Sequence, residues 1–97
     1  SEDETPGFVR FCIFPNPFNP ETNIVFSLLE DTHVELTIYN IKGQKVRTIC
    51  NEMLGKGNYI YVWNGKDKNN LPVASGIYFS EFETDGIIKI KKMLLLK

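Results

Sequence analysis

The sequence lacks any sustained stripe of apolar residues at helical spacing, any internal repeat and any low-complexity tract. Charge of one sign is missing too: 11 basic against 12 acidic residues leave a formal charge of -1, no field for gripping nucleic acid. No apolar run is long enough to span a bilayer, since the longest, Met93-Leu94-Leu95-Leu96, is strand-sized. Histidine occurs once, as His33 beside Asp31 and Thr32, and reads as a solvated edge residue. A thiol–imidazole pair would have to draw on Cys12 or Cys50 with His33, but nothing orients them and no nucleophile turn is present. Glu81 and Glu83 are alternate neighbours on a strand face rather than paired carboxylates in a cleft. The expectation is a non-catalytic domain with no cofactor, no bound metal and no transmembrane segment.

Cysteine is scarce, and its two copies leave the redox compartment open. A Cys12–Cys50 bridge would close a loop worth roughly 4 kcal/mol on the chain-entropy model. Against it, Cys12 shares a face with Arg10 and Cys50 shares one with Val46, so the two can point to different sides. Two separate thiols are the preferred reading, with the bridge as the alternative.

What the chain does contain is alternation. With 97 residues, 42% hydrophobic and 12% aromatic, it suffices for one domain with a single core. Ile24, Phe26 and Leu28 share one face of a strand, and Val34, Leu36 and Ile38 share one face of the next. Glu30-Asp31 between them suits a hairpin turn. After a turn at 40–43, residues 44–50 are strand-like with weak alternation, and Gly55-Lys56-Gly57 precedes an aromatic strand over 58–63. The polar run 64–70 is an exposed loop, 77–84 is another strand, Asp85-Gly86 is a good hairpin dipeptide, and 87–96 closes the chain. With a first strand at about 9–14, these make seven strands, expected to form an all-β, Greek-key immunoglobulin-like sandwich.

Three phrases invite functional readings. In the loop after Trp63-Asn64-Gly65, only Asp67 carries a carboxylate, whereas calcium loops place several at alternating positions; a solvated turn is the better reading. Tyr59, Tyr61 and Trp63 share a strand face and could stack on carbohydrate, but as core aromatics they would fill the space between sheets. In that case Ile60 and Val62 face outwards, and a tail, neighbouring domain or partner is expected to cover them. The C-terminal Lys89-Ile90-Lys91-Lys92-Met93-Leu94-Leu95-Leu96-Lys97 starts amphipathic and ends apolar on both faces, as either a lysine-guarded edge strand or a terminal signal.

The segment Phe14-Pro15-Asn16-Pro17-Phe18-Asn19-Pro20 is the most distinctive. Each proline fixes its own φ and extends the residue before it, while two phenylalanines require something to pack on. A rigid, anchored crossing between strands is expected. With Thr22-Asn23-Ile24, residues 34–40, Gly43-Gln44-Lys45-Val46, Trp63-Asn64-Gly65, residues 73–79, Gly86 and residues 91–97, this ordered set resembles the C-terminal sorting domain of type IX secretion substrates. That family overlaps with the Ig-like domain of the flagellar hook-capping protein. The resemblance spans nearly everything after Val9.

The resemblance implies an Ig-like C-terminal domain of a larger exported protein of a Gram-negative bacterium, secreted or displayed at the cell surface. Its partners would be the outer-membrane secretion translocon, a sortase-like peptidase that commonly removes the domain, and the upstream cargo, which is then anchored to lipopolysaccharide. The recognition residues carried over are Pro15, Asn16, Pro17, Gly43, Val46, Gly76, Tyr78, Gly86, Lys92 and Lys97. Residues 1–8 would be linker or disordered tail from the cargo, and 9–97 the domain. The chain opens on Ser1-Glu2-Asp3-Glu4 without a methionine or signal peptide, as expected of a segment from a longer protein. Two departures stand out: Asn64 occupies a position where the family more often has aspartate, and two cysteines are not typical. The alternatives are an accessory Ig-like module of an extracellular enzyme and a carbohydrate-binding module.

Overall fold

The computed structural model describes residues 8–97, so nearly all of the linker expectation for 1–8 lies outside the described residues. Seven strands run β1 Phe8–Phe14, β2 Thr22–Leu28, β3 Thr32–Asn40, β4 Lys45–Leu54, β5 Gly57–Trp63, β6 Gly76–Thr84 and β7 Ile87–Leu95. They form two antiparallel sheets in the orders β1-β2-β5 and β4-β3-β6-β7. This is the Greek-key, immunoglobulin-like sandwich that the alternation implied. No helix among the described residues is long and apolar enough to cross a membrane.

The two-residue period decides what each strand buries. Phe11, Phe26 and Tyr59 form one inward row across the first sheet, and Ile13, Ile24 and Tyr61 the next. They meet Val34, Leu36, Ile38, Tyr78, Phe82, Met93 and Leu95 from the other sheet. Rings meet at the centre, with Phe82 stacked on Phe11 at 5.1 Å and tilted against Phe26 at 4.8 Å between centroids. Tyr59 and Tyr61 stack on Phe26, and Trp63 is fully buried, so the aromatic row of β5 is core. Ser80 is buried with no hydrogen-bond partner for its hydroxyl.

Three expectations need correction. The Glu30-Asp31 segment is not a hairpin: β2 and β3 lie in different sheets. In a hairpin the two apolar faces would lie side by side; here Phe26 and Leu36 belong to opposite walls of one core, which requires an arch. Asp31 ties this arch to the next, accepting a 2.9 Å hydrogen bond from the Lys56 amide. Secondly, β4 continues to Leu54 instead of ending at Cys50, because it pairs with β3 down to Thr32. Register shifts between Leu36 and Thr37, and between Ile38 and Tyr39, account for its weak alternation. Finally, Phe14 does not pack in the core. It follows Cys12 onto the outer face of the first sheet and stays 50% exposed.

The outward prediction for β5 holds. Ile60 and Val62 are 67% and 52% exposed. Cys12, Val25 and Ile60 form one outer row, and Phe14, Asn23 and Val62 the next. At the far end of the second sheet, Asp85 (φ 52°) and Gly86 (φ 79°) close the β6–β7 hairpin, both with the positive φ that a type I′ turn demands.

Candidate functional site

The two phrases at opposite ends of the sequence meet in space. Pro15 and Pro17 have no N–H to offer a neighbouring strand. Between them it is the side chain of Asn16 that bonds the β7 backbone. Its Nδ2 donates to the Lys92 carbonyl at 2.9 Å, and its Oδ1 accepts from the Leu94 amide at 3.0 Å. In a parallel ladder one residue bonds the carbonyl before and the amide after its opposite number, so Asn16 imitates a strand residue facing Met93. The next rung is genuine backbone: the Phe18 amide donates to Leu94 at 3.0 Å and its carbonyl accepts from Leu96 at 2.9 Å. Phe18 thus pairs in parallel with Leu95.

Packing fixes this two-rung strand in place. The Phe18 ring is only 3% exposed and lies 5.7 Å from the Trp63 ring, tilted by 55°. Trp63 in turn meets Tyr78 edge-on at 5.3 Å and donates through Nε1 to the Lys66 carbonyl at 2.9 Å. Thr22 secures the segment's other end by donating to the Pro15 carbonyl at 2.7 Å. Gly65 (φ 74°) completes the seat, because a Cβ there would stand 3.2 Å from the Pro20 carbonyl and 3.6 Å from Leu95.

The last residue is held as well. The Lys97 amide donates to Ser75 Oγ at 3.2 Å, and its ammonium reaches the Val73 carbonyl. One turn along, Tyr78 donates through its hydroxyl to the Ala74 carbonyl at 2.7 Å, the tyrosine-corner arrangement of Ig-like sandwiches. Burial raises the Tyr78 pKa, which keeps the hydroxyl a donor.

The predicted recognition residues divide accordingly. Asn16, Pro17 and Lys92 line one shallow groove of about 260 Å³ with Ile77, Met93 and Leu94. Gly43, Val46, Gly76, Tyr78 and Lys97 lie at the same end of the sandwich, as the Asn40–Tyr78 and Gly76–Leu95 pairings require. Gly43 is in the β3–β4 turn, organised by Asn40, whose Oδ1 accepts from the amides of Lys42 and Gln44, each at 2.9 Å. Val46 is buried, and its carbonyl accepts from the Lys68 amide at 3.0 Å. Gly86 is at the opposite end, so it does not join the others. Phe18, Thr22, Val73 and Ser75 also belong to this site; they stand in the phrases that carry the resemblance but are not among the recognition residues it implies.

The rival chemistries find little here. Asp67 Oδ1 accepts from the amides of Asn69 at 2.9 Å and Leu71 at 3.0 Å, so the loop's carboxylate is spent on its own turn. Among the described residues no group of three or more His, Cys, Asp or Glu side chains could hold a metal. Both cysteines are free: Cys12 is on the outer face of one sheet, and Cys50 is buried in the other. Burial raises the Cys50 pKa, against the thiolate a nucleophile needs, and the thiol donates to the Val34 carbonyl at 3.9 Å. His33 is exposed on β3 and faces Met53 across the ladder, not a cysteine.

Fold and site together define an Ig-like β-sandwich whose terminal strand is pinned along its outer edge by an N-terminal crossing. The model of the FlgD Ig-like domain matches residues 18–85, well over half of the chain. The chain belongs to that family. The match leaves out both Asn16 and β7. No curated protein matches it in sequence. Among solved structures, dimeric latent PorU of Porphyromonas gingivalis is similar at 19% identity and a TM-score of 0.73, over 89% of this chain and 9% of that one. PorZ, a surface component of the type IX secretion system of the same organism, is similar at 18% identity and a TM-score of 0.60, over 90% of this chain and 11% of that one. FlgD of P. aeruginosa is similar at 21% identity and a TM-score of 0.58, over 93% and 77% respectively. At these identities the likeness concerns the fold, and the chain spans about a tenth of PorU and PorZ.

Proposed function

We propose that this domain is a non-catalytic C-terminal sorting domain, through which type IX secretion machinery exports a larger protein to the cell surface. In this reading residues 1–8 link it to an upstream cargo. The outer-membrane translocon recognises the folded domain, and a sortase-like peptidase removes it. The observation that carries the reading is the pinned terminal strand: the segment from Lys92 to Lys97 is held in one conformation by Asn16, Phe18, Ser75 and Val73 at the protein surface. Fold likeness to PorZ supports the same assignment. The recognition surface then comprises Asn16, Pro17, Lys92 and Lys97, with Pro15, Gly43, Val46, Gly76, Tyr78 and Gly86 shaping it.

Deleting residues 91–97 would be a poor test, because Met93 and Leu95 are fully buried and their loss would unfold the sandwich. Exposed side chains separate recognition from folding. A reporter fused to the domain, in a type IX-competent host, is expected to lose export with Lys92→Glu and Lys97→Glu while the purified domain stays folded, its melt lowered only by the loss of the exposed Lys97–Val73 hydrogen bond. Export at the parental level by that folded double variant would overturn the assignment.

The second reading, an accessory Ig-like module beside an enzyme, is favoured by the uncovered apolar outer face of Phe14, Ile60 and Val62. It predicts that the neighbouring domain loses stability when this one is removed, with export unaffected.

A further inference from the structure

β7 is the last strand of its sheet, and among the described residues only half of its outer edge is closed. Leu94 turns both its amide and its carbonyl away from β6, towards Asn16 and Phe18. Lys92 turns its carbonyl the same way. The β6–β7 register runs without a shift from Thr84–Ile87 to Gly76–Leu95, so the two-residue period carries this outward orientation back to Ile90 and Ile88. The two-residue turn agrees, since its closing pair, Thr84 and Ile87, must exchange hydrogen bonds within the hairpin. The amides of Ile88, Ile90 and Lys92 and the carbonyls of Ile88 and Ile90 therefore form an open ladder, with no backbone partner among the described residues.

The side chains along this ladder divide by face. Ile88 and Ile90 are 50% and 60% exposed on the outer face, opposite Glu83 and Glu81, and Ile90 borders a groove with Tyr39, Ile41, Phe79 and Glu81. Lys89 and Lys91 occupy the opposite face, opposite Phe82 and Ser80, and both are exposed. Residues directly opposite each other across a ladder share a face. An added strand would thus set alternate residues against two isoleucines and against two ammonium groups.

We infer that the Ile88–Lys92 edge binds an extended peptide segment of a partner protein, in which aliphatic and acidic residues alternate. Main-chain hydrogen bonds supply the attachment, the isoleucines take the aliphatic residues, and Lys89 and Lys91 select the acidic ones. The added strand ends where Asn16 begins its own rung. The inference goes beyond the sorting role and does not depend on it.

The test is fluorescence anisotropy with the purified full chain and a labelled six-residue peptide of alternating glutamate and valine. Saturable binding is expected, with the lysine–valine counterpart at least about tenfold weaker. Ile90→Pro removes an outward-facing N–H without touching a β6–β7 bond and is expected to abolish binding. The K89E/K91E double variant alters only exposed side chains, keeps the fold, and is expected to reverse the preference towards the lysine–valine peptide. Absence of saturable binding, or binding indifferent to the charge reversal, would overturn the inference and leave the lysines no role in selecting a partner strand. Self-association of the chain that the peptide fails to compete away would also overturn it.

Discussion

Asn16→Ala is the most direct perturbation of the terminal site. It removes both hydrogen bonds to the β7 backbone, at 2.9 and 3.0 Å, and touches no core side chain. Each neutral hydrogen bond contributes about 0.5–1.5 kcal/mol net, and because the pair is exposed, water can solvate the groups left behind. The expected loss is therefore about 1–2 kcal/mol, without the larger penalty of a buried orphan. For a domain of this size that lowers the melting temperature by about 5–15 °C. Urea unfolding followed by Trp63 fluorescence gives the free energy, and hydrogen exchange at the Leu94 amide reports the bond itself. Asn16→Asp keeps the acceptor for Leu94 but turns a carboxylate oxygen towards the Lys92 carbonyl, so it should cost at least as much as alanine at neutral pH. A second background sharpens the test: with Phe18→Ala already present the crossing is released, and Asn16→Ala should cost less than it does alone. A loss below about 0.3 kcal/mol, with Leu94 exchange unchanged, would refute the surrogate-strand account.

Ser80→Ala removes a fully buried hydroxyl that has no partner, and is expected to leave stability unchanged or raise it by about 1 kcal/mol, measured by urea unfolding. Alkaline titration offers a third check. The folded pKa values of Cys50, Tyr61 and Tyr78 are raised by burial, so the unfolded chain releases protons first. Their stabilising contribution is complete below the ordinary values of 9.0 for Cys50 and 10.0 for the tyrosines, and is lost as pH rises towards the folded values. Thermal melts should thus be level around neutrality and fall at alkaline pH, with Tyr61→Phe showing a shallower decline. Trp63 is fully buried, so its emission should be of buried type and unmoved by polysaccharides; a red emission maximum that shifts on adding them would restore the carbohydrate-binding reading.

Period-two alternation made the seven strands and the inward aromatic row of β5 legible, because burial on one face leaves its mark on every second residue. It carried no information on which sheet a strand joins. Ile24, Phe26 and Leu28 followed by Val34, Leu36 and Ile38 give the same pattern for a hairpin and for an arch, and only closing the core selects the arch. The register shifts in β3–β4 are likewise silent in sequence, since an extra residue simply blurs the alternation of β4. The terminal site was half visible. Prolines on both sides of Asn16 announced a segment that no regular ladder can run through, and there a side-chain amide can stand in for a strand residue. Its partner lay 78 residues away at Leu94, a separation that no local pattern encodes.

That pairing also explains why β7 changes character along its length. An edge that is apolar on both faces and unpaired is a template for another chain's strand. The apolar half of β7, with Met93 and Leu95 inward and Leu94 and Leu96 outward, is the half that Asn16 and Phe18 cover. The half they leave open is the half carrying Lys89, Lys91 and Lys92. Cover and charge are thus complementary protections of one edge against a second copy of the chain, whose own edge carries the same lysines, and the handover falls at Lys92, whose carbonyl is already bonded to Asn16. Loosening the crossing should expose the unprotected half while the lysines continue to guard the other. The Asn16→Ala chain should accordingly self-associate as concentration rises, and light scattering would detect it. Association unaltered by this substitution would mean that the lysines protect the whole strand without help.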